Sequence, residues 1–191
     1  AIDAALATAY NTYGCFIDCA AGNDYYGPVT YPATNQYVVA VSATNQSDAF
    51  ASFSNTGPQI SVSAPGVSIY STQLNNTYGT SSGTSFSAPI VAGIASLLYS
   101  VNSGLTNAQV KSIIELTADD KGPVGFDTLY GYGRVNAYRA LQTVIAPTNF
   151  QNNASSGSTQ LSWSAHPSLL LQYYEVWRRV NNWSWVLIAT T

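Results

Sequence analysis

The stretch from Thr80 to Ser100 constrains this chain more than any other part of the sequence. It begins with small polar residues, whereas the run from Phe86 to Leu98 is almost entirely apolar or small. This pattern predicts a loop that leads into a helix buried on all sides. We place Pro89 in the first turn of the helix, where a missing backbone N–H costs little. Ser85 then lies at the helix N-terminus, beside unpaired backbone N–H groups and the positive end of the helix dipole.

A serine in this position has two interpretations. It can be an N-cap, or it can be a nucleophile whose oxyanion is met by the same N–H groups. The surrounding sequence, Gly83-Thr84-Ser85-Phe86-Ser87-Ala88-Pro89 followed by Val91-Ala92-Gly93, closely resembles the nucleophile motif of the subtilisin-like serine proteases. In that family the serine of Gly-Thr-Ser attacks the peptide carbonyl. The resemblance implies that Ser85 is the nucleophile of a serine endopeptidase.

A second segment, Ala20-Ala21-Gly22-Asn23-Asp24, resembles the part of the family that ends a sheet strand and supplies an asparagine to the oxyanion hole. Taken alone, Gly-Asn predicts only a turn. Together with the Ser85 motif, it implies that Asn23 donates its side-chain amide to the developing oxyanion, alongside the backbone N–H of Ser85. The hydroxyl of Thr84 either supports the oxyanion or is structural.

The resemblance also implies one wall of a substrate pocket. This wall would consist of Cys19, Ala20, Ala21 and Gly22, with Asp24 at its rim and Thr30 near its base. Asp24 either favours a basic substrate side chain or is a solvated loop carboxylate. No cofactor is expected. The family often holds a cation near residues 31–38, but Gln59 and Ser61 stand where nearby acids would be needed, so no metal site is predicted.

The resemblance implies an α/β fold. Over residues 1 to about 144 the resemblance implies the C-terminal part of a subtilisin-like peptidase domain, a parallel sheet with helices on both faces. We assign residues 1–145 to this domain. The predicted strands are Cys15–Ala21 and Tyr37–Ala43. The segments Ile60–Ala64 and Val67–Ser71 flank Ala64-Pro65-Gly66, which resembles a family signature, and are expected to be structural. The predicted helices are residues 3–13, a helix ending near Leu116 behind a capping box at Thr106–Gln109, and Ala137–Val144.

The first predicted strand contains three unusual residues. Asp18 interrupts an apolar run, and a buried carboxylate needs a partner that the sequence does not identify. Cys15 and Cys19 would lie roughly 13 Å apart on a strand, too far for a disulfide with each other. They are therefore either two buried free thiols or paired with cysteines outside this sequence.

The composition changes at residues 145–148, and three strand-like segments follow. Leu161-Ser162-Trp163 and the run from Tyr174 to Arg179 resemble the first half of a fibronectin type III module, with Trp163 as its core tryptophan. We therefore expect residues 146–191 to form a truncated, all-β fibronectin type III-like module. Its predicted strands are Gln160–Ser164, Tyr173–Val180 and Ser184–Thr190.

The charge-relay aspartate and histidine of the family precede the oxyanion asparagine in chain order, and this sequence begins after both. It also contains no Met and begins inside a predicted helix. We therefore expect an internal segment of a longer protein, inactive alone and partnered by the upstream half that carries Asp and His. The single histidine, His166, is interpreted as an exposed loop residue.

Composition excludes some partners. Only 8% of residues are charged and the net charge is −3, so no basic patch indicates nucleic acid. No apolar run is expected to reach membrane-spanning length. The uncharged polar composition and four glycosylation sequons, at Asn45, Asn75, Asn153 and Asn182, agree with the secretion that the resemblance implies.

Two alternative functions remain open from the sequence. Ser85, Asp127 and His166 occur in the chain order of α/β-hydrolase esterases, although Gly-Thr-Ser-Phe-Ser lacks the Gly-x-Ser-x-Gly pattern of that family. Alternatively, the chain is a noncatalytic binding fragment whose C-terminal module docks to a surface.

Overall fold

The computed structural model describes residues 1–145, 148–155, 158–164, 175–180 and 184–190. These form two compact units, Ala1–Val144 and Ile145–Thr191. In chain order, the elements that begin in the first unit are α1 (Ile2–Asn11), β1 (Asp18–Ala20), β2 (Val39–Thr44), β3 (Ile60–Pro65), β4 (Ile69–Gln73), a 3₁₀ turn (Leu74–Asn76), β5 (Thr77–Ser81), α2 (Thr84–Val101), α3 (Asn107–Leu116) and α4 (Ala137–Ile145).

A parallel sheet with the order β1-β2-β3 forms the centre of the first unit. Strands β2 and β3 read as nearly continuous apolar or small residues because both of their faces are covered. Ala40 pairs with Ile60 but Val41 pairs with Val62, so Ser61 is an extra residue in β3. This bulge explains how Ile60 and Val62 reach different core clusters although they are two residues apart.

Helices cover one face of the sheet. Buried residues of α2, α3 and α4 pack with Val39, Val41 and Val62 in the larger core cluster. The smaller cluster contains Ala21, Val29, Ala33, Ala40 and Ile60, so the segment after β1 folds back over the sheet. The α/β class and the parallel sheet with packed helices are therefore confirmed, and the described contacts show the helical layer on the α2 side.

Helix α2 begins earlier than the sequence suggests. Its first residue is Thr84, with Gly83 as the N-cap, so Pro89 is the sixth helical residue and lies in the second turn. The placement of Pro89 in the first turn was wrong. Because proline has no N–H, the Ser85 carbonyl loses the intrahelical donor that it would otherwise receive from position 89.

The expectation that no apolar run reaches membrane-spanning length is also wrong for α2, by length and composition alone. The helix has 18 residues with a mean hydropathy of 1.4. One such helix is weak evidence for a membrane span, because the core helix of a folded domain passes the same test. Here α2 packs against all three strands of the sheet, with Val91 and Leu98 fully buried.

Strand β1 is shorter and less buried than predicted. Only Asp18, Cys19 and Ala20 form the strand, and all three are half-buried. Within residues 1–145, β1 pairs with β2 alone. The two cysteines form no disulfide with each other, as predicted, and Cys15 is exposed rather than buried.

The other secondary-structure predictions for this unit are met in part. The capping box is confirmed, since Thr106 Oγ1 accepts a hydrogen bond from the Gln109 N–H while Gln109 Oε1 accepts one from the Thr106 N–H. Helix α1 ends at Asn11 with Thr12 as its C-cap, two residues before the predicted end, and the last predicted helix is α4. The structural segment after Gly66 contains β4, which forms an antiparallel hairpin with β5.

The second unit contains two antiparallel strand pairs in its described parts. Strands β6 (Thr148–Ser155) and β7 (Ser158–Ser164) form one pair, and β8 (Glu175–Val180) and β9 (Ser184–Thr190) form the other. The three predicted strands correspond to β7, β8 and β9, whereas β6 was not predicted. His166, Tyr173, Tyr174 and Asn182 lie outside the described residues.

Candidate active site

The N-terminus of α2 is fastened to the carboxyl ends of the parallel strands. The Gly83 N–H donates to the Gly66 carbonyl just after β3, at 2.8 Å, and the Ser87 hydroxyl donates to the Ala64 carbonyl within β3, at 3.0 Å. On the other side, the Gly22 N–H just after β1 donates to the Thr84 hydroxyl at 3.3 Å. Loops at this edge of a parallel sheet are where ligands usually bind.

Ser85 is the second residue of α2 and its side chain is exposed. Its backbone N–H lies within the first turn, where no carbonyl of the helix is available to accept it. In the described part of the chain, no other protein group accepts from this N–H or bonds to the hydroxyl. Both groups are therefore available to a ligand.

The side chain of Asn23 lies directly beside the start of α2. Its Oδ1 accepts hydrogen bonds from the Thr84 N–H at 2.9 Å and from the Thr84 hydroxyl at 3.0 Å. Because a backbone N–H can only donate, these contacts fix which end of the amide is oxygen. The amide NH₂ then has no hydrogen-bond partner among the described residues. A Cβ placed on Gly83 would lie 3.4 Å from Asn23 Nδ2 and 3.8 Å from the Ser85 nitrogen, so both donors border the same small volume.

The hydroxyl of Thr84 is fully used by protein partners. It donates to Asn23 Oδ1 and accepts from the Gly22 N–H, and the residue is completely buried. Of the two roles considered for Thr84, this geometry favours orientation of Asn23 over direct contact with an oxyanion.

Position 22 requires glycine. Its φ is +113°, and a Cβ there would lie 2.3 Å from Asn55 Nδ2 and 2.9 Å from Thr30 Oγ1. Any side chain here would strain the backbone next to Asn23 and collide with the Asn55 side chain.

Asn55 is a residue that the sequence interpretation missed. It is fully buried in the connection between β2 and β3, and it hydrogen-bonds the loop that carries Asn23. Its sequence context, Ser54-Asn55-Thr56-Gly57, predicts only a turn. No local signal in the sequence reveals its hydrogen-bond partners.

The predicted substrate wall differs in accessibility along its length. Ala21 is fully buried and Cys19 packs against the smaller core cluster, so their side chains face the interior. Burial and, second, the charge of Asp18 raise the pKa of the Cys19 thiol. Asp24 and Thr30 are exposed, and the Thr30 hydroxyl donates to the Ala21 carbonyl at 3.2 Å.

The esterase arrangement is not assembled in the described residues. One Asp127 carboxylate oxygen accepts from the N–H groups of Leu129 and Tyr130 within its own turn, and no described contact joins it to Ser85. His166 lies outside the described residues. Among the side chains that are described, no group of three or more His, Cys, Asp or Glu could hold a metal ion, and Ser61 donates to Glu115.

Known proteins share both the sequence and the fold of the first unit. The chain is 41% identical over 130 residues to the halolysin-like extracellular serine protease Nep of Natrialba magadii, covering 68% of this chain and 24% of that protein. It is 44% identical over 131 residues to the minor extracellular protease Epr of Bacillus subtilis, covering 68% and 20%. It is 43% identical over 129 residues to thermitase of Thermoactinomyces vulgaris, covering 68% and 45%. The chain thus spans less than half the length of these relatives.

A solved structure supports the same assignment. The crystal structure of a lanthipeptide protease superposes with a TM-score of 0.65 at 27% identity, covering 74% of this chain and 54% of that one. The model of the subtilase family, peptidase S8, matches residues 1–133, which is more than half of the chain. This chain therefore belongs to the subtilase family.

Proposed function

We propose that the protein is a serine endopeptidase that forms an acyl-enzyme on Ser85. One observation carries the proposal: the Ser85 N–H and the Asn23 NH₂ group, neither with a protein partner among the described residues, lie close together beside the exposed Ser85. Two donors placed together at a helix N-terminus can stabilise an oxyanion. The subtilase match and the serine proteases among the relatives supply the reaction class.

In the proposed reaction, Ser85 Oγ attacks the peptide carbonyl carbon while a base removes the hydroxyl proton. The carbonyl oxygen becomes an oxyanion that accepts hydrogen bonds from Asn23 Nδ2 and the Ser85 N–H. Collapse of this intermediate breaks the C–N bond, and the base returns the proton to the leaving amine. Water then releases the acyl group by the same steps. The resemblance assigns the base and its orienting acid to a His and an Asp upstream of Ala1.

The proposal extends to substrate and location. Relatives named as extracellular proteases support a secreted protein that acts on protein or peptide substrates. The strand end from Cys19 to Gly22 would offer its backbone to the substrate, with Asp24 and Thr30 at the accessible edge. One Asp24 carboxylate oxygen is bonded to Asn55 Nδ2, which leaves the other to meet a basic side chain.

We also keep the fibronectin type III-like interpretation of residues 146–191 as a proposal. Two antiparallel strand pairs in the described parts of this unit support it. A noncatalytic fragment would need no free donors beside Ser85, so the active-site geometry favours the enzyme.

The test is covalent labelling. A fluorophosphonate probe applied to the full-length protein should modify Ser85, and Ser85→Ala should remove both labelling and peptidase activity. Ser82→Ala is the matched control: Ser82 is an exposed serine three residues earlier whose Oγ accepts from the Ser68 N–H, and its loss should leave labelling intact. Labelling at another serine in an active preparation would reject the assignment.

A further inference from the structure

Asn55 makes four hydrogen bonds to the loop that follows β1. Its N–H donates to the Gly22 carbonyl at 3.0 Å, and its Oδ1 accepts from the Asp24 N–H at 2.6 Å. Its Nδ2 donates to Asp24 Oδ2 at 2.9 Å and to the Pro28 carbonyl at 2.8 Å. The side-chain oxygen and nitrogen of this fully buried residue are thus both engaged by one loop.

Two of these bonds bracket Asn23. The Gly22 carbonyl belongs to the peptide unit before Asn23, and the Asp24 N–H belongs to the peptide unit after it. Asn55 therefore holds both peptide planes that meet at the Asn23 Cα, which restricts the two backbone dihedrals of that residue. Thr84 holds the far end of the same side chain. Backbone and amide are fixed by different parts of the chain.

The loop is also held against its own conformational preference. Tyr25 and Tyr26 follow Asp24 with φ of +51° and +65°, in the left-handed region that residues with a Cβ avoid. Their N–H groups donate to the Phe53 and Ser54 carbonyls, directly before Asn55. Strain of this kind persists only where surrounding contacts impose it. Removing the Asn55 side chain would leave the backbone bond to the Gly22 carbonyl but release the Asp24 N–H, its carboxylate and the Pro28 carbonyl, which would allow the peptide unit after Asn23 to relax.

We propose that Asn55 is a positioning residue for the oxyanion site, acting on the reaction through Asn23. This inference rests on the proposed function, since it assigns a reason for the placement of one oxyanion donor. A buried asparagine that only stabilises the fold would also lower activity when removed. The two roles differ in whether the activity lost on removing Asn55 depends on the presence of Asn23.

A double-mutant cycle in the full-length protein separates them. We expect Asn55→Ala to lower kcat about tenfold to a hundredfold, because a small displacement of a transition-state donor is costly. KM should change by less than about twofold, since the donor acts on the transition state. In an Asn23→Ala background, Asn55→Ala should lower kcat by less than about twofold, because the group that it positions is already gone. Equal losses in the two backgrounds would overturn the proposal.

Asn107 provides the matched control. It is also a buried asparagine, 8% exposed, and its Nδ2 donates to the Tyr10 and Cys15 carbonyls. Those residues precede β1, whereas Asn23 follows it. Asn107→Ala should lower the melting temperature with less than about a twofold change in kcat.

If Asn55→Ala does not fold, the same cycle uses Asn55→Asp. Aspartate keeps the size and the acceptor for the Asp24 N–H, but it loses both Nδ2 hydrogen bonds and faces the Asp24 carboxylate. Fluorophosphonate labelling of Ser85 is measured in every variant. Absence of labelling in the parent rejects the proposed function, whereas labelling with additive losses rejects only the role of Asn55.

Discussion

At the scale of single residues, the side-chain oxygen of Asn23 is hydrogen-bonded to Thr84, whereas its NH₂ group has no partner among the described residues. Thr84 occupies the oxygen with two donors, so the NH₂ group cannot rotate inward without breaking both hydrogen bonds. A donor fixed in this way costs no reorganisation when negative charge develops beside it. The contribution of Asn23 should therefore appear in the transition state rather than in the bound substrate.

We accordingly expect Asn23→Ala in the full-length protein to lower kcat about a hundredfold to a thousandfold with little change in KM. This magnitude is the known cost of removing one oxyanion-hole donor from subtilisin, a member of the same family. Steady-state kinetics on a peptide substrate provide the measurement. A loss confined to KM would instead assign Asn23 to substrate binding or to the turn.

The residues of the candidate site differ in how visible they are in the sequence. Ser85, Thr84 and Asn23 lie in short contiguous motifs, so a resemblance finds them. Asn55 acts on residues about thirty positions away, through contacts that exist only after the β2–β3 connection packs against the loop. Nothing local distinguishes it from an ordinary turn residue, because its role is set by tertiary contacts.

At the scale of elements, β1 carries a carboxylate in an unfavourable place. Asp18 is half-buried and stands opposite Val39, and within residues 1–145 no side chain bonds to it. Burial raises its pKa from 3.8 to about 6, although a hydrogen bond with its own backbone opposes the shift. The partner that the sequence could not identify is not supplied by the described part of this unit.

This environment predicts how stability depends on pH. Between pH 3.8 and about 6 the folded state binds more protons at Asp18 than the unfolded state, so the free energy of unfolding falls as pH rises through that window. We expect Asp18→Asn to raise the free energy of unfolding by about 1–2 kcal/mol at about pH 8. The pKa difference sets an upper limit of about 3 kcal/mol, which solvent screening reduces. At about pH 3.5 the variant should match the parent.

Asp119 provides a control with the opposite dependence of stability on pH. Burial opposes its ionisation, but hydrogen bonds from Asn136, Arg134 and Arg139 outweigh burial and lower its pKa. The stabilisation from Asp119 is present at neutral pH and is lost as pH falls, so Asp119→Asn should destabilise most at about pH 8. Urea denaturation at both pH values measures each effect. A difference in the free energy of unfolding between Asp18→Asn and the parent that is the same at both pH values would contradict a raised pKa of Asp18.

The ends of helices could be predicted from the sequence only where the residues that fix them are close in sequence. The apolar run identified α2, but it could not reveal that the helix starts at Thr84, because the N-cap Gly83 is fixed by a hydrogen bond to Gly66 in a distant loop. The capping box of α3 was predicted correctly because all of its partners lie within four residues. Local signals were thus readable, whereas ends set by tertiary contacts were not.

At the scale of the whole molecule, the amino-acid composition changes near residue 145. The structure divides into its two compact units, Ala1–Val144 and Ile145–Thr191, at the same place. The first unit has the parallel sheet and packed helices that the resemblance implied, whereas the strand order β1-β2-β3 was not predicted. The second unit offers fewer signals, and β6 was missed since Thr148–Ser155 is mostly polar. Its strands pair within hairpins, which a burial pattern alone does not reveal.

Ser85 requires a general base to act as a nucleophile. Proton removal needs a base within about 3 Å of the hydroxyl, and in the described part of the chain no His, Asp, Glu or Lys bonds to Ser85 Oγ. The only histidine of the 191 residues is His166, which belongs to the second unit. A serine with an oxyanion site but no base remains a poor nucleophile. We therefore expect residues 1–191, prepared alone, to hydrolyse peptides no faster than their Ser85→Ala variant.

A peptidase assay of this segment, with and without an upstream segment that carries the family's Asp and His, tests the expectation. Activity that appears only with the upstream segment would support a site assembled from both parts, in which Ser85 and Asn23 supply attack and oxyanion stabilisation. Activity of residues 1–191 alone that is abolished by His166→Ala would contradict it. That result would mean that the second unit reaches the α2 N-terminus and that the chain uses the Ser, Asp, His order of the esterases.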